Sequence, residues 1–147
     1  MTKILCVDDE LLMQRAYRRT LGTVPGIDEV ILAGSVTEAI QLFRASPESY
    51  GVIFTDYEMN DGTGIDLLER VKQVDLLERI RQDSLPPRVL LSGRMNSQLC
   101  GQAMEAGAAG GIHKPFDNAF LQIVAGELIG QGTSPALDSY MKKEGYI

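Results

Sequence analysis

Five short, nearly uninterrupted apolar runs punctuate the chain: "KILCVD" (3–8), "EVILA" (29–33), "GVIFTD" (51–56), "RVLLS" (88–92) and "GGIH" (110–113). A stretch of helical period follows each one. Strands that are apolar on consecutive residues have no face to give to water, so they require helices on both sides of a sheet. Alternation of strand and helix makes that sheet parallel, because a parallel neighbour is reached only through a long crossover. Right-handed crossovers then predict a doubly wound, five-stranded α/β sheet in the order 2-1-3-4-5.

The helical stretches carry their own start and stop signals. Met13, Tyr17 and Leu21 share a face in 10–22, which Gly22 ends. Ser35 and Glu38 form a capping box ahead of Val36, Ala39, Ile40 and Phe43. Thr63 and Asp66 open the next helix in the same way. A small-residue helix at 96–106 stops at Gly107, and residues 117–129 place Phe120, Leu121, Val124 and Leu128 on an amphipathic helix.

At 147 residues and 44% hydrophobic composition, one folded domain is expected, at 1–130, with a tail at 131–147. The tail reads as a short helix over 136–144 or as a linker. A net charge of −6 argues against direct binding to nucleic acid. No apolar run approaches the ~20 residues of a membrane span, and "MTKILCVDDE" has no signal-peptide pattern. A cytoplasmic location is therefore expected. Cys6 and Cys100 sit at apolar positions and read as core residues, while the single histidine, His113, excludes a multi-histidine metal site.

In a doubly wound sheet, function lies in the crevice at the carboxyl ends of the strands. Strand 1 ends in Asp8-Asp9 and strand 3 in Asp56, which enters an acidic loop with Glu58 and Asp61 among glycines. Strand 4 ends in Ser92, and strand 5 runs through His113 into Lys114. Three carboxylates raise one another's pKa unless a cation intervenes. Oxygen-only ligands favour Mg²⁺, or Mn²⁺, over zinc. Three acids, one divalent ion and one lysine sum to no net charge, so a phosphoryl group can approach. The set therefore predicts phosphoryl transfer to Asp56, with Lys114 and the Ser92 hydroxyl holding the equatorial oxygens.

"VDDE", Asp56 with Met59 three and Gly64 eight residues on, "LLSG" and "KPF" together resemble a bacterial two-component response-regulator receiver domain, from about residue 3 to residue 130. The resemblance implies a flavodoxin-like (βα)5 domain, and a phosphoryl group passed to Asp56 from a phosphohistidine on a sensor histidine kinase or phosphotransfer protein. It further implies Mg²⁺ held by Asp8 or Asp9, or by both, with Asp56 and the backbone carbonyl of Glu58, phosphoryl contacts from Ser92 and Lys114, and a cis Lys114–Pro115 bond. Such a domain catalyses only its own phosphorylation and dephosphorylation and signals to an output protein by contact.

The chain also departs from the family pattern. Gly111 stands where an aromatic residue usually reports phosphorylation, and Asn60 where a proline usually follows Met59. Glu58 and Arg94 occupy the two positions flanking the path of hydrolytic water, and their pairing there would shield the acyl phosphate. "LLER" recurs at 67–70 and 76–79, half a turn out of phase on one helix. Either the helix breaks near Gln73–Asp75 and folds back, or it presents Leu76, Leu77 and Ile80 to a partner or a second copy. Two rivals remain in view. One is a Mg²⁺-dependent aspartyl-phosphate hydrolase with Glu58 as general acid, although no cap insertion encloses a substrate. The other is an unphosphorylated interaction scaffold.

Overall fold

The computed structural model describes residues 2–78 and 85–147, the side chains of 75–78 excepted. In chain order the elements are β1 (Lys3–Val7), α1 (Leu11–Leu21), β2 (Glu29–Ala33), α2 (Val36–Ala45), a 3₁₀ turn (Pro47–Ser49) and β3 (Tyr50–Asp56). A small hairpin follows, β4 (Glu58–Met59) and β5 (Gly62–Thr63), then α3 (Gly64–Glu78) and β6 (Arg88–Ser92). The remainder is α4 (Ser97–Glu105), β7 (Gly110–His113), α5 (Asn118–Gln131) and α6 (Pro135–Glu144). The main sheet has the order β2-β1-β3-β6-β7, parallel throughout. With the hairpin set aside, this is the predicted 2-1-3-4-5.

The apolar runs are explained by two cores. Along β1, Ile4 and Cys6 join a core with Tyr17 and Leu21 of α1 and Leu121 and Val124 of α5, while Leu5 and Val7 face Ile40 and Phe43 of α2 and Leu67 and Val71 of α3. The strand period of two sends neighbouring residues to opposite faces, so both faces need apolar residues. Cys6 and Cys100 are buried, as core residues should be. Burial, and after it the charge of Asp8, pushes the Cys6 thiol far above its ordinary pKa.

The caps form as the sequence suggests. Ser35 Oγ accepts the Glu38 N–H, and the Asp66 carboxylate accepts the Thr63 N–H while Thr63 Oγ1 accepts the Asp66 N–H. Helix α3 runs unbroken through Gln73–Asp75 to Glu78, so the chain does not fold back there. Leu67 and Leu68 are buried, whereas the side chains of Leu76, Leu77 and Ile80 lie outside the described residues. The tail folds as α6, capped by Ser134, with Leu137 and Met141 in the core beside Cys100 and Ala103.

On the edge strand Gly110 makes room for that helix, and Gly111 for Met95. A Cβ on Gly110 would collide with the Met141 sulfur, and one on Gly111 would lie 2.6 Å from Met95 Cε. Met95 thus occupies the space above Gly111. The outward N–H of His113 donates to Tyr140 Oη at 2.9 Å, which satisfies an edge-strand donor from α6.

Candidate functional site

Strand ends bring the predicted side chains to one cleft. Asp8 follows β1 and is fully buried, Asp56 closes β3 at 8% exposure, and Ser92 closes β6 at 3%. Lys114, directly after β7, reaches back so that its Nζ lies 2.8 Å from Asp8 Oδ2 and 3.2 Å from Asp56 Oδ1. Oxygens of Asp8, Asp9 and Asp56 lie within 4.8 Å of one another. The adjoining cavities, about 330 and 270 Å³, share Glu10, Asp56 and Glu58; Ser92, Gly93, Arg94 and Lys114 line the first, and Asp9, Met59 and Asn60 the second.

Local hydrogen bonds set each group. Asp8 Oδ1 accepts the Glu10 N–H at 2.9 Å, and the Asp8 carbonyl accepts from Gln14 Nε2. Asp56 Oδ1 accepts the Tyr57 N–H at 2.9 Å. Ser92 Oγ accepts the Arg94 N–H at 3.0 Å, so its own proton can be donated into the cleft. Gly64 is required where it stands: a Cβ there would strike the Asp56 carbonyl oxygen and Leu90, and its N–H donates to the Tyr57 carbonyl at 2.7 Å. The Lys114–Pro115 bond is cis.

Charge in the cleft is unbalanced. Burial, opposed by the charge of Lys114 and reinforced by that of Asp8, raises the Asp56 pKa. Burial alone would lower Lys114, but the hydrogen bond and charge of Asp8, with Asp56 beside it, outweigh burial and raise its pKa. One lysine against three carboxylates leaves two negative charges that a divalent cation would neutralise. The donor set is all oxygen and preassembled, which fits Mg²⁺ or Mn²⁺.

Glu58 and Arg94 meet across the mouth of the cleft, with Arg94 Nη1 3.3 Å from Glu58 Oε1 and both side chains largely exposed. The sequence assigns no role to two neighbours. Glu10 lines both cavities, and the only signal for it was its place after Asp8-Asp9. Asp61 accepts from Val36 N, Thr37 N and Thr37 Oγ1 of α2. That contact spans about 25 residues, and no local pattern announces it.

A family model of the response regulator receiver domain matches residues 4–125, and the chain belongs to that family. It is similar to the sensory transduction protein LytR of Staphylococcus haemolyticus, 26% identical over 115 residues that cover 78% of this chain and 40% of that protein. The chain thus spans about two fifths of the length of that curated relative. Among solved structures, a response regulator receiver domain protein from Clostridium thermocellum is 26% identical with a TM-score of 0.74, covering 90% of this chain and 97% of that one. The receiver domain of Ssk1, solved with the histidine phosphotransfer protein Ypd1 of Saccharomyces cerevisiae, shares the fold at 17% identity and a TM-score of 0.77, covering 95% and 96%.

Proposed function

We propose that this receiver domain relays a signal by accepting a phosphoryl group on Asp56 from a phosphohistidine of a sensor histidine kinase or phosphotransfer protein. The observation that carries this reading is the ammonium of Lys114 bridging two buried carboxylates from different strands, Asp8 and Asp56, at the floor of an open cleft.

In the transfer, a carboxylate oxygen of Asp56 attacks phosphorus in line, the N–P bond of the donor breaks, and the imidazole leaves with the electron pair and takes up a proton. The product is an acyl phosphate. Rigid placement of the nucleophile at the end of a buried strand supplies orientation. Lys114 lies where it can follow the negative charge from the carboxylate onto the phosphoryl oxygens, and the Ser92 hydroxyl adds a donor. Asp8, Asp9, Asp56 and the backbone carbonyl of Glu58 would hold Mg²⁺ or Mn²⁺, which when bound supplies the positive charge that three acids and an incoming phosphoryl group require.

The donor has a suitable face beside the cleft. Leu11 and Leu12 are 61% and 76% exposed at the start of α1. Next to them Met13, Ala16, Pro115, Phe116 and Lys114 line a groove of about 320 Å³. Because Lys114 borders both groove and cleft, a helix seated there would present its histidine to Asp56. Glu58, which the hydrolase reading needs as a general acid, lies at the mouth of the cleft with its Oε1 3.3 Å from Arg94 Nη1.

Titration with beryllofluoride and Mg²⁺, followed by fluorine NMR, tests the reading. One bound species is expected in the wild type and none in Asp56→Asn. A wild-type chain that binds no beryllofluoride at millimolar Mg²⁺ would overturn the proposal.

A further inference from the structure

The acceptor strand hands over to a hairpin too short to hold its own shape. Only Glu58 pairs with Thr63 and Met59 with Gly62, around a turn at Asn60–Asp61. Two ladder pairs are marginal in water, and Asn60 leaves the turn's φ unrestricted by a proline ring. Yet this hairpin supplies Glu58, Met59 and Asn60 to the cavity that also contains Asp9 and Asp56. Its base is tied by Gly64 N–H to the Tyr57 carbonyl and by Thr63 N–H to Asp66. Among the described residues, its tip is tied by Asp61 to a helix in another part of the chain.

That tie is well formed at both ends. A helix begins with N–H groups that have no partner within the helix. In α2, Ser35 Oγ takes the Glu38 N–H. The two donors before it go to Asp61, with Val36 N 2.9 Å from Oδ1 and Thr37 N 2.9 Å from Oδ2, while Thr37 Oγ1 adds a third bond at 2.8 Å. Both carboxylate oxygens are therefore engaged at the positive end of α2. These bonds, led by that from the Thr37 N–H, lower the Asp61 pKa to about 2, so the carboxylate stays ionised throughout the neutral range.

We propose that Asp61 is a positioning residue of the acceptor site, clamping the 58–63 hairpin to α2 so that Glu58 is held against the acid cluster and opposite Arg94. This deepens the phosphoacceptor reading and rests on it. Two consequences follow from one contact. The hairpin is preorganised for the divalent cation, and the Glu58 side chain is held within reach of Arg94.

Mn²⁺ binding by the full chain, read from water-proton relaxation, separates positioning from mere stability. Groups that orient metal ligands commonly change affinity by 10–100-fold, and Asp61→Ala is expected to weaken Mn²⁺ about tenfold. Asp61→Asn keeps one acceptor oxygen and should fall between Ala and wild type. Ser35→Ala is the control: it removes a cap from the same helix without touching the hairpin, so it should lower the thermal midpoint and leave Mn²⁺ affinity unchanged. Hydrogen exchange should show the Val36 and Thr37 amides losing protection in Asp61→Ala. Wild-type affinity in Asp61→Ala would overturn the inference alone, as would equal losses in Asp61→Ala and Ser35→Ala. Absence of Mn²⁺ binding by the wild type would overturn the phosphoacceptor reading as well.

Discussion

Lys114 is the residue on which the cleft's electrostatics turn. It is the cation that touches both Asp8 and Asp56, and its side chain is only 17% exposed. Breaking a buried pair by removing one partner leaves an uncompensated charge, so Lys114→Met is expected to lose roughly 3 kcal/mol in urea denaturation without divalent ions. Adding Mn²⁺ should restore part of that loss. Arg94→Ala is the contrasting case. The Glu58–Arg94 pair is exposed, so its removal should shift stability by less than about 0.5 kcal/mol while shortening the lifetime of the acyl phosphate several-fold. An unchanged lifetime would remove the shielding role. For Asp61 the pH dependence has a definite sign. Its folded pKa of about 2 lies below the ordinary 3.8, so its bonds to α2 contribute fully above 3.8 and are lost as pH falls through 2. The wild type should therefore melt above Asp61→Asn at pH 5, with the gap closing near pH 2. That Asp8, Asp56, Ser92 and Lys114 meet in one cleft was legible because each ends or directly follows an apolar strand. Asp61 was not, since its partners come from α2 and its own neighbours carry no sign of them.

At the scale of elements, capping chemistry made most helices legible. Ser35 with Glu38 and Thr63 with Asp66 are local signals, and both produced the caps they suggest. The hairpin of β4 and β5 escaped notice because two residues per strand establish no period. Helix α6 was ambiguous for a different reason. Its apolar positions make sense against Gly110 on β7, more than 20 residues earlier, where the missing side chain leaves room for Met141 and Leu137. Truncating Met141 should therefore open a cavity in the main core. Met141→Ala is expected to cost about 2–5 kcal/mol by chemical denaturation, as for other buried large-to-small changes. A cost below about 1 kcal/mol would mean that α6 is only loosely attached. Gly111 beside it has its own neighbour: Met95, three residues beyond Ser92, occupies the space that a side chain there would enter.

For the molecule as a whole, the arrangement of layers follows from strands that have no polar face. Leu5 and Val7 on one side of β1, and Ile4 and Cys6 on the other, demand helices above and below. Parallel connection then gathers the carboxyl ends of β1, β3, β6 and β7 around one crevice. Chemistry and fold are thus read from the same residues, since the strand that must be buried is also the one that delivers an aspartate rigidly. Among the described residues no helix is long and apolar enough to cross a membrane. The most direct test of the account is intact-protein mass after incubation with Mg²⁺ and acetyl phosphate, run beside Asp56→Asn and a chelator control. The account predicts a single phosphoryl adduct on the wild type, absent from both controls. An adduct that persists in Asp56→Asn would contradict it.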